Sequence, residues 1–305
     1  MQQTAEPPVF ITIPLSHYCE KARWALDRVA LPYREAPHVP LLHRLATTRN
    51  DGGTVPVLVH GPLRFVDSTD ILIHADSIRG GDLLYPRDAA LRREVEALVD
   101  RFDKELGPHT RRWAYAQLLA QTQLLRKLWS RGVPRWEAGL LPLIVPLARA
   151  LIRRGYRVTP ESGRRSLDRV HGIFREVGER LGDGRRFLVG ERFTAADLTF
   201  AALAAPVLFP LGNGAALPGL DEVPAAMREE VLRLRTTNAG RFALQLVPAR
   251  AQYPASTYFV AMIVSIVLHT VKPNAPSCLK FLAACPSTSA PPGSTNSHVP
   301  SVLLA

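Results

Sequence analysis

The most constraining feature of the sequence is a junction near its N-terminal end, where an apolar, β-branched run gives way to a helix. Residues 9–13, VFITI, have the composition of a strand buried on both faces, and apolar spacing then predicts a helix over 17–30. Between them Pro14 ends the strand and Ser16 occupies the N-cap position. The first N–H groups of a helix lack partners and carry partial positive charge, so the junction favours an anion. Ser16 and Cys19, one turn apart, therefore indicate either a cap with a core thiol or a site for a negatively charged sulfur.

The next segments predict that this strand and helix belong to a compact α/β domain. Residues 31–37 predict a second short strand, and 54–68 predict two strands joined by the turn HGP. Residues 69–78 then carry helical apolar spacing. This order predicts a mixed sheet in a domain that covers residues 1–82.

Beyond residue 82 the strand patterns stop, and an all-helical domain is predicted over 83–248. The predicted helices are 88–106, 110–131, 136–152, 166–181, 193–203 and about 224–235. The third of them is apolar all round but too short and too interrupted by prolines to predict a membrane span, so a buried helix is expected. At the start of the fifth, Thr194 and Asp197 have the spacing of a capping box.

The last segment, residues 249–305, has a different composition. It contains no acidic residue and seven prolines, and its end is rich in serine. Such a sequence buries too little apolar surface to offset its ordering entropy, which predicts a low-complexity, disordered tail. One apolar run, 258–271, interrupts it and is shorter than a bilayer span. The alternatives for this run are packing on the helical domain or lying on a membrane surface.

Composition narrows the classes of function. Three scattered cysteines favour a reducing compartment, and the first ten residues lack the basic start and apolar core of a signal peptide, so we expect a cytoplasmic protein. The net charge of +11 is spread through helical segments among acids, without zinc-ligand spacing. We therefore expect no nucleic-acid partner, no metal and no membrane association.

Four short motifs, taken in order, resemble the cytosolic glutathione transferases. They are SHYC after the first strand, TVP before the hairpin, DS before the next helix, and FTAADL far downstream. The resemblance covers about residues 9–247. It implies a thioredoxin-like N-terminal domain followed by a helical-bundle C-terminal domain, with glutathione as co-substrate and a homodimer as the assembly.

The resemblance also assigns roles to the residues of these motifs. Ser16 would contact the glutathione sulfur, where a hydroxyl and helix-terminal N–H groups stabilise a thiolate. Val55–Pro56 would be a cis peptide whose backbone pairs with the cysteinyl amide. Asp67 would meet the γ-glutamyl ammonium, and Ser68 its carboxylate. An ordinary N-cap, a loop proline and an Asp/Ser cap are the structural alternatives.

One position departs from the family pattern. Many relatives have a lysine before the Val-Pro step, whereas this chain has Thr54. The glycyl carboxylate of glutathione then needs another partner, for which His43 or Arg44 are the candidates. The electrophile pocket would draw on residues such as Arg112, Trp113 and Tyr115, and the sequence does not choose among them.

Three functions remain open from the sequence. The first is a glutathione transferase that conjugates the thiolate to a small electrophile. The second is a non-catalytic member that uses the fold for binding or assembly. The third is a glutathione-dependent thiol reductase that uses Cys19, although SHYC lacks the first, attacking cysteine of a dithiol motif.

Overall fold

The computed structural model describes residues 6–215 and 217–251, and the first part of the chain forms a four-stranded mixed sheet. The strands are β1 (Val9–Thr12), β2 (Arg34–Pro37), β3 (Val57–His60) and β4 (Leu63–Phe65), in the order β2-β1-β3-β4. β1 pairs with β2 in parallel, and the other two pairings are antiparallel. This is the thioredoxin-like arrangement that the sequence predicts.

Three helices accompany the sheet, namely α1 (His17–Arg28), α2 (His43–Thr47) and α3 (Ser68–Ile78). α1 packs against α3 and also against a helix of the second region, so it lies between the two regions. Its apolar residues Cys19, Ala22 and Leu26 are fully buried. The short α2 was not predicted, because its five residues carry no capping side chain.

The rest of the described chain is helical, as predicted. Its helices are α4 (Ala89–Arg101), α5 (Gly107–Leu118), α6 (Thr122–Trp129), α7 (Arg135–Gly155), α8 (Pro160–Arg180), α9 (Ala195–Leu208), α10 (Ala225–Arg235) and α11 (Asn238–Ala251). A π-helical turn, Phe102–Leu106, joins α4 to α5. All fourteen residues of α9 are buried, so this helix forms the core of the helical region. The predicted Thr194–Asp197 capping box is present at its start.

Three helix predictions need correction. The single helix expected over 110–131 is two helices, which separate at residues 119–121. The helix at 224–235 is followed by α11, which begins three residues later. α7 is not buried all round, because several of its leucines and Trp136 are exposed.

A buried polar cluster ties α1 to α3 and to the π-helical turn. Lys21 Nζ donates to Asp103 Oδ2 at 2.6 Å and to Thr69 Oγ1 at 2.7 Å, and Thr69 Oγ1 donates to Asp103 at 2.8 Å. Tyr18 Oη donates to the Asp103 carbonyl at 2.8 Å. Burial lowers the pKa of Lys21, and the Asp103 carboxylate opposes this effect. The cluster therefore fixes the start of α1 against both regions of the fold.

The domain boundaries at residues 82 and 248 stay predictions, as does the tail. α11 continues to Ala251, and the apolar run 258–271 lies outside the described residues. Within the described parts, no helix combines the length and apolar character needed to cross a membrane.

Candidate functional site

A cavity of about 580 Å³ opens between the sheet region and the helical region. Its wall on the sheet side includes Ser16, His43, Arg44 and Val55. Its helical wall comes mainly from α5 and α7 and is largely apolar. Among the described residues, arginines are the charged side chains that line the cavity, and no carboxylate lines it. The cavity thus combines an apolar wall with positive charge.

Ser16 lies where the cavity meets the N-terminus of α1. Its backbone is extended, with φ −77° and ψ 117°, and its Oγ accepts the Cys19 N–H at 3.2 Å. The side chain is therefore the helix cap that the sequence predicts. A hydroxyl oxygen can accept this bond while its proton is donated to a ligand in the cavity. The capping role and the ligand-binding role are therefore compatible in this geometry.

The Val55–Pro56 peptide bond is cis, as the resemblance implies. Val55 lines the cavity and leads into β3. Val55 is therefore at the point where the cavity meets the start of β3.

His43 and Arg44 also line the cavity, at the start of α2. Burial, together with the positive charge of Arg44, lowers the pKa of His43 to about 4, and its Nδ1 has no hydrogen-bond partner among the described residues. At neutral pH the imidazole is uncharged, so it offers a neutral hydrogen bond rather than a charge. Of the two candidates for a carboxylate partner, only Arg44 brings a positive charge.

Asp67 and Ser68 lie at the N-terminus of α3 and do not line this cavity. The exposed Asp67 carboxylate caps the helix by accepting the Thr69 N–H at 2.7 Å, while Ser68 is buried. The negative charge of Asp67 still reaches Tyr18, a cavity residue. Burial raises the pKa of Tyr18 most, Arg111 lowers it, and Asp103 and Asp67 add to the rise. Asp67 and Ser68 therefore lie near the cavity but do not form part of its wall.

The helical wall differs in part from the sequence prediction. Tyr115 lines the cavity, but Trp113 is buried in the core, and Arg112 donates to the Tyr156 carbonyl at 2.9 Å and to Ser166 Oγ at 3.2 Å. The arginine on the cavity side is Arg111. The physical reason is helical phase, since residues 111, 115 and 118 share one face of α5. That spacing was available in the sequence.

Arg111 is held between aromatic rings rather than by an acid. Its guanidinium lies 4.1 Å from the centroid of the Tyr156 ring and 5.7 Å from that of Tyr18. Tyr115 and Tyr156 stack with their centroids 5.9 Å apart. In the described part of the chain no carboxylate pairs with Arg111, so its charge faces the cavity largely uncompensated.

Comparison with known proteins identifies the family. Residues 10–82 match the family model for the glutathione S-transferase N-terminal domain, and residues 160–223 match that for the C-terminal domain. The chain belongs to the glutathione S-transferase family. Its helices α4 to α7 lie between the two matched segments.

Solved structures of similar fold include two enzymes of low sequence identity. Glutathione transferase GSTFuA3 from Phanerochaete chrysosporium is 18% identical, over 82% of this chain and 98% of that one, with a TM-score of 0.54. Beta-etherase LigF from Sphingobium sp. strain SYK-6 is 17% identical, over 78% of this chain and 98% of that one, with a TM-score of 0.50. No curated protein matches the chain by sequence. At these identities the likeness shows the glutathione S-transferase fold.

Cys19 lies behind Ser16, on the core side of this glutathione S-transferase fold. The thiol is fully buried, and burial raises its pKa to about 11, against the weaker opposing effect of Ser16. Since the thiolate is the reactive form, a thiol in this environment is unreactive near neutral pH. Cys19 therefore acts in packing.

His17, the first residue of α1, is buried as a neutral side chain. Its Nε2 lies 3.0 Å from the Gly107 carbonyl oxygen, an acceptor, so Nε2 carries the proton. Burial, assisted by the charge of Arg111, lowers the pKa of His17 to about 3. The imidazole links α1 to the first residue of α5 and is uncharged throughout the neutral range.

We expect this histidine to weaken the fold on acidification. The unfolded chain takes up a proton near pH 6.5 and the folded chain only near pH 3, so stability falls as pH drops between these values. From pH 7 to pH 5 the His17 contribution to the free energy of unfolding falls by about 2 kcal/mol. The His17→Gln variant keeps a donor for Gly107 but cannot titrate. Urea unfolding of the wild type and the variant at pH 7 and pH 5 measures how much unfolding free energy each protein loses on acidification. An equal loss in both would show that His17 is not held neutral by burial.

Proposed function

We propose that the chain is a glutathione transferase that conjugates the glutathione thiolate to a small electrophile. The observation that carries the proposal is that Ser16, at the N-terminus of α1, and Val55, at a cis peptide, line one cavity. The positive end of α1 and the Ser16 hydroxyl favour the thiolate over the thiol. The sulfur then attacks an electrophilic carbon, an S–C bond forms, and the leaving group departs with its electron pair. The thiol proton has already passed to water.

Several cavity residues suit glutathione, which carries two carboxylates and one ammonium. The Val55 backbone would pair with the cysteinyl amide. Arg44 would bind the glycyl carboxylate, with the neutral His43 as an additional hydrogen-bond donor. Asp67 and Ser68 would hold the γ-glutamyl end, beyond the edge of the cavity wall. The uncompensated positive charge of the cavity supports a ligand of net negative charge.

The electrophile would lie against the helical wall. Tyr115, Tyr156 and Leu118 provide an apolar and aromatic surface there, and Arg111 adds a cation that is held over the rings. Such a wall orients a small apolar molecule towards the thiolate, and orientation of the two reactants accounts for much of the acceleration. We include a homodimer and a cytoplasmic location in the proposal. Leu63, on β4, and Ile73, on α3, are exposed apolar side chains that support a subunit contact through the sheet region.

The reductase alternative has little support, because the buried Cys19 thiol is unreactive at neutral pH. The second candidate function is glutathione binding without catalysis. It differs from the first only in that bound glutathione is not conjugated to an electrophile.

Turnover of chlorodinitrobenzene with glutathione, combined with calorimetry of glutathione binding, tests the proposal. We expect saturable turnover, and an Arg44→Gln variant with a KM for glutathione raised about tenfold, because one charge-assisted hydrogen bond is lost. Arg49→Gln is the matched control, since Arg49 is an exposed neighbour that does not line the cavity. Glutathione binding without turnover of this or other electrophiles would favour the non-catalytic alternative. Absence of both would refute the proposal.

A further inference from the structure

The helix α7 presents five large apolar side chains to solvent. They are Trp136, Leu140, Leu143, Leu147 and Leu151, with exposed fractions of 59, 38, 77, 57 and 47%. We call this surface the α7 stripe. At about 100° per residue, the five positions fall within an arc of about 80°, and they extend over about 22 Å of the helix axis. A continuous apolar surface of this kind marks a contact with a partner.

The stripe is not a misplaced core face, because α7 already has one. Leu141, Val145 and Ala148 are buried on the opposite side of the helix. On that side the Glu137 carboxylate also accepts His38 Nδ1 at 2.6 Å and the Val39 N–H at 2.8 Å. The helix is therefore anchored to the rest of the fold through one face and leaves the stripe without a partner among the described residues.

Charge around the stripe has one sign. Arg135 lies beside its N-terminal end, and Arg153 and Arg154 lie at its C-terminal end, all three exposed. Between residues 121 and 160 the only acidic residue is Glu137, which is buried. Glu222, from outside the segment, pairs with Lys127 on α6 and not with an arginine of α7. The outer surface of α7 is therefore apolar and basic.

We propose that the α7 stripe docks on the surface of a lipid bilayer with anionic headgroups. An apolar helix face with a tryptophan and flanking arginines is the pattern of a helix that lies in the membrane interface, where leucines enter the acyl region and arginines meet phosphates. This reverses our sequence-based expectation of no membrane association. A second copy of the chain fits the stripe less well, because a two-fold contact through the stripe would bring the arginines of the two copies together.

The position of the stripe connects it to the cavity. Leu151, its last member, also lines the cavity, together with the next residue, Ile152, and with Tyr156 beyond the end of α7. Docking through the stripe would thus set the rim of the cavity against lipid. Apolar ligands dissolved in the bilayer would then reach the helical wall without crossing water. This consequence rests on the proposed function, but the docking itself does not.

Binding of the full-length chain to vesicles tests the proposal. We use equal amounts of phosphatidylcholine and phosphatidylglycerol, with pure phosphatidylcholine for comparison, and measure co-sedimentation and tryptophan fluorescence. Trp24, Trp113 and Trp129 are buried, so a blue shift on vesicle addition reports on Trp136. We expect binding to the anionic vesicles, a blue shift, and weakening by salt. Trp136→Phe should remove the blue shift and keep most of the binding.

Variants separate the α7 stripe from exposed leucines elsewhere in the fold. The double variant Leu143→Gln, Leu147→Gln should weaken vesicle binding about a hundredfold, since each leucine transfer is worth about tenfold. Leu211→Gln, Leu232→Gln is the matched control, because both leucines are exposed outside α7. Arg153→Gln, Arg154→Gln should weaken binding to the anionic vesicles only, about fivefold for each arginine.

Two results would overturn the inference. One is that the wild type does not bind the anionic vesicles, or that the Leu143→Gln, Leu147→Gln variant binds them as tightly as the wild type does. The other is a dimer mass in light scattering that this variant alone reduces to a monomer, which would assign the stripe to a contact between copies. Thermal unfolding of each variant excludes loss of the fold as the cause. None of these readouts requires catalysis, so the inference and the proposed function fail separately.

Discussion

The Ser16→Asn variant is expected to lose about a hundredfold in kcat/KM for glutathione and chlorodinitrobenzene, the range found when one preorganised donor to a developing anion is removed. Asparagine caps a helix as well as serine does, so the bond from the Cys19 N–H is replaced and α1 is retained. What is lost is the hydroxyl of a residue that lines the cavity, since the longer amide group cannot cap α1 and occupy the same position. An alanine variant would remove the hydroxyl and the cap together and would not separate the two roles.

The pH dependence of kcat/KM is the second readout of this variant. If Ser16 stabilises the bound thiolate, the apparent pKa of the glutathione thiol on the enzyme rises by about one unit in Ser16→Asn. Ser16→Thr keeps the hydroxyl and serves as the control, with activity within about tenfold of the wild type. Equal activity and equal pH profiles in the asparagine variant and the wild type would show that Ser16 is only a helix cap.

Features carried by adjacent residues could be predicted from the sequence. Strand β1, the Ser16 cap and the start of α1 each depend on a few neighbouring side chains, and the structure has all three where expected. The Thr194–Asp197 capping box is of the same kind. The cis geometry of Val55–Pro56 followed from the family resemblance, since nothing in local composition distinguishes cis from trans at a proline.

Features that depend on what a helix packs against could not be predicted in this way. An apolar helix such as α7 has the same sequence pattern whether its second face meets the core or a partner, and the structure leaves that face exposed. The electrophile-pocket candidates Arg112, Trp113 and Tyr115 were only partly right, for a different reason. They are near neighbours in the sequence, whereas the residues of α5 that line the cavity recur at helical spacing, which selects Tyr115 and leaves out the other two.

The state of His43 and Cys19 also lay beyond the sequence. Both residue types are reactive or charged near neutral pH in water, and burial moves their pKa values to about 4 and about 11. The extent of burial depends on segments far away along the chain. A motif can therefore bring a residue to a site without fixing its protonation.

Asp197→Ala is expected to cost about 3–5 kcal/mol of unfolding free energy, the largest stability effect we predict, because buried donors are left without an acceptor. The Asp197 carboxylate is fully buried and accepts the Leu188 N–H at 2.7 Å, the Thr194 N–H at 2.7 Å and the Thr194 hydroxyl at 2.9 Å. Its loss would release the loop before α9, and α9 is the buried centre of the helical region. Urea unfolding at pH 7 measures the cost. Asp183→Ala, at an exposed aspartate, is the control and should change little.

The difference in unfolding free energy between the wild type and Asp197→Ala should increase as the pH is lowered. Burial raises the pKa of Asp197 to about 6, against the hydrogen bonds from Leu188 and Thr194. The folded wild type therefore binds this proton at a higher pH than the unfolded chain, and the contribution to stability is lost as pH rises from about 4 to about 6. The stability difference should be about 1.4 kcal/mol larger at pH 5 than at pH 7. A difference that shrinks on acidification would mean that the carboxylate is held ionised by its three donors. Its pKa would then lie below that of an aspartate in water, and burial would not be the dominant effect at this position.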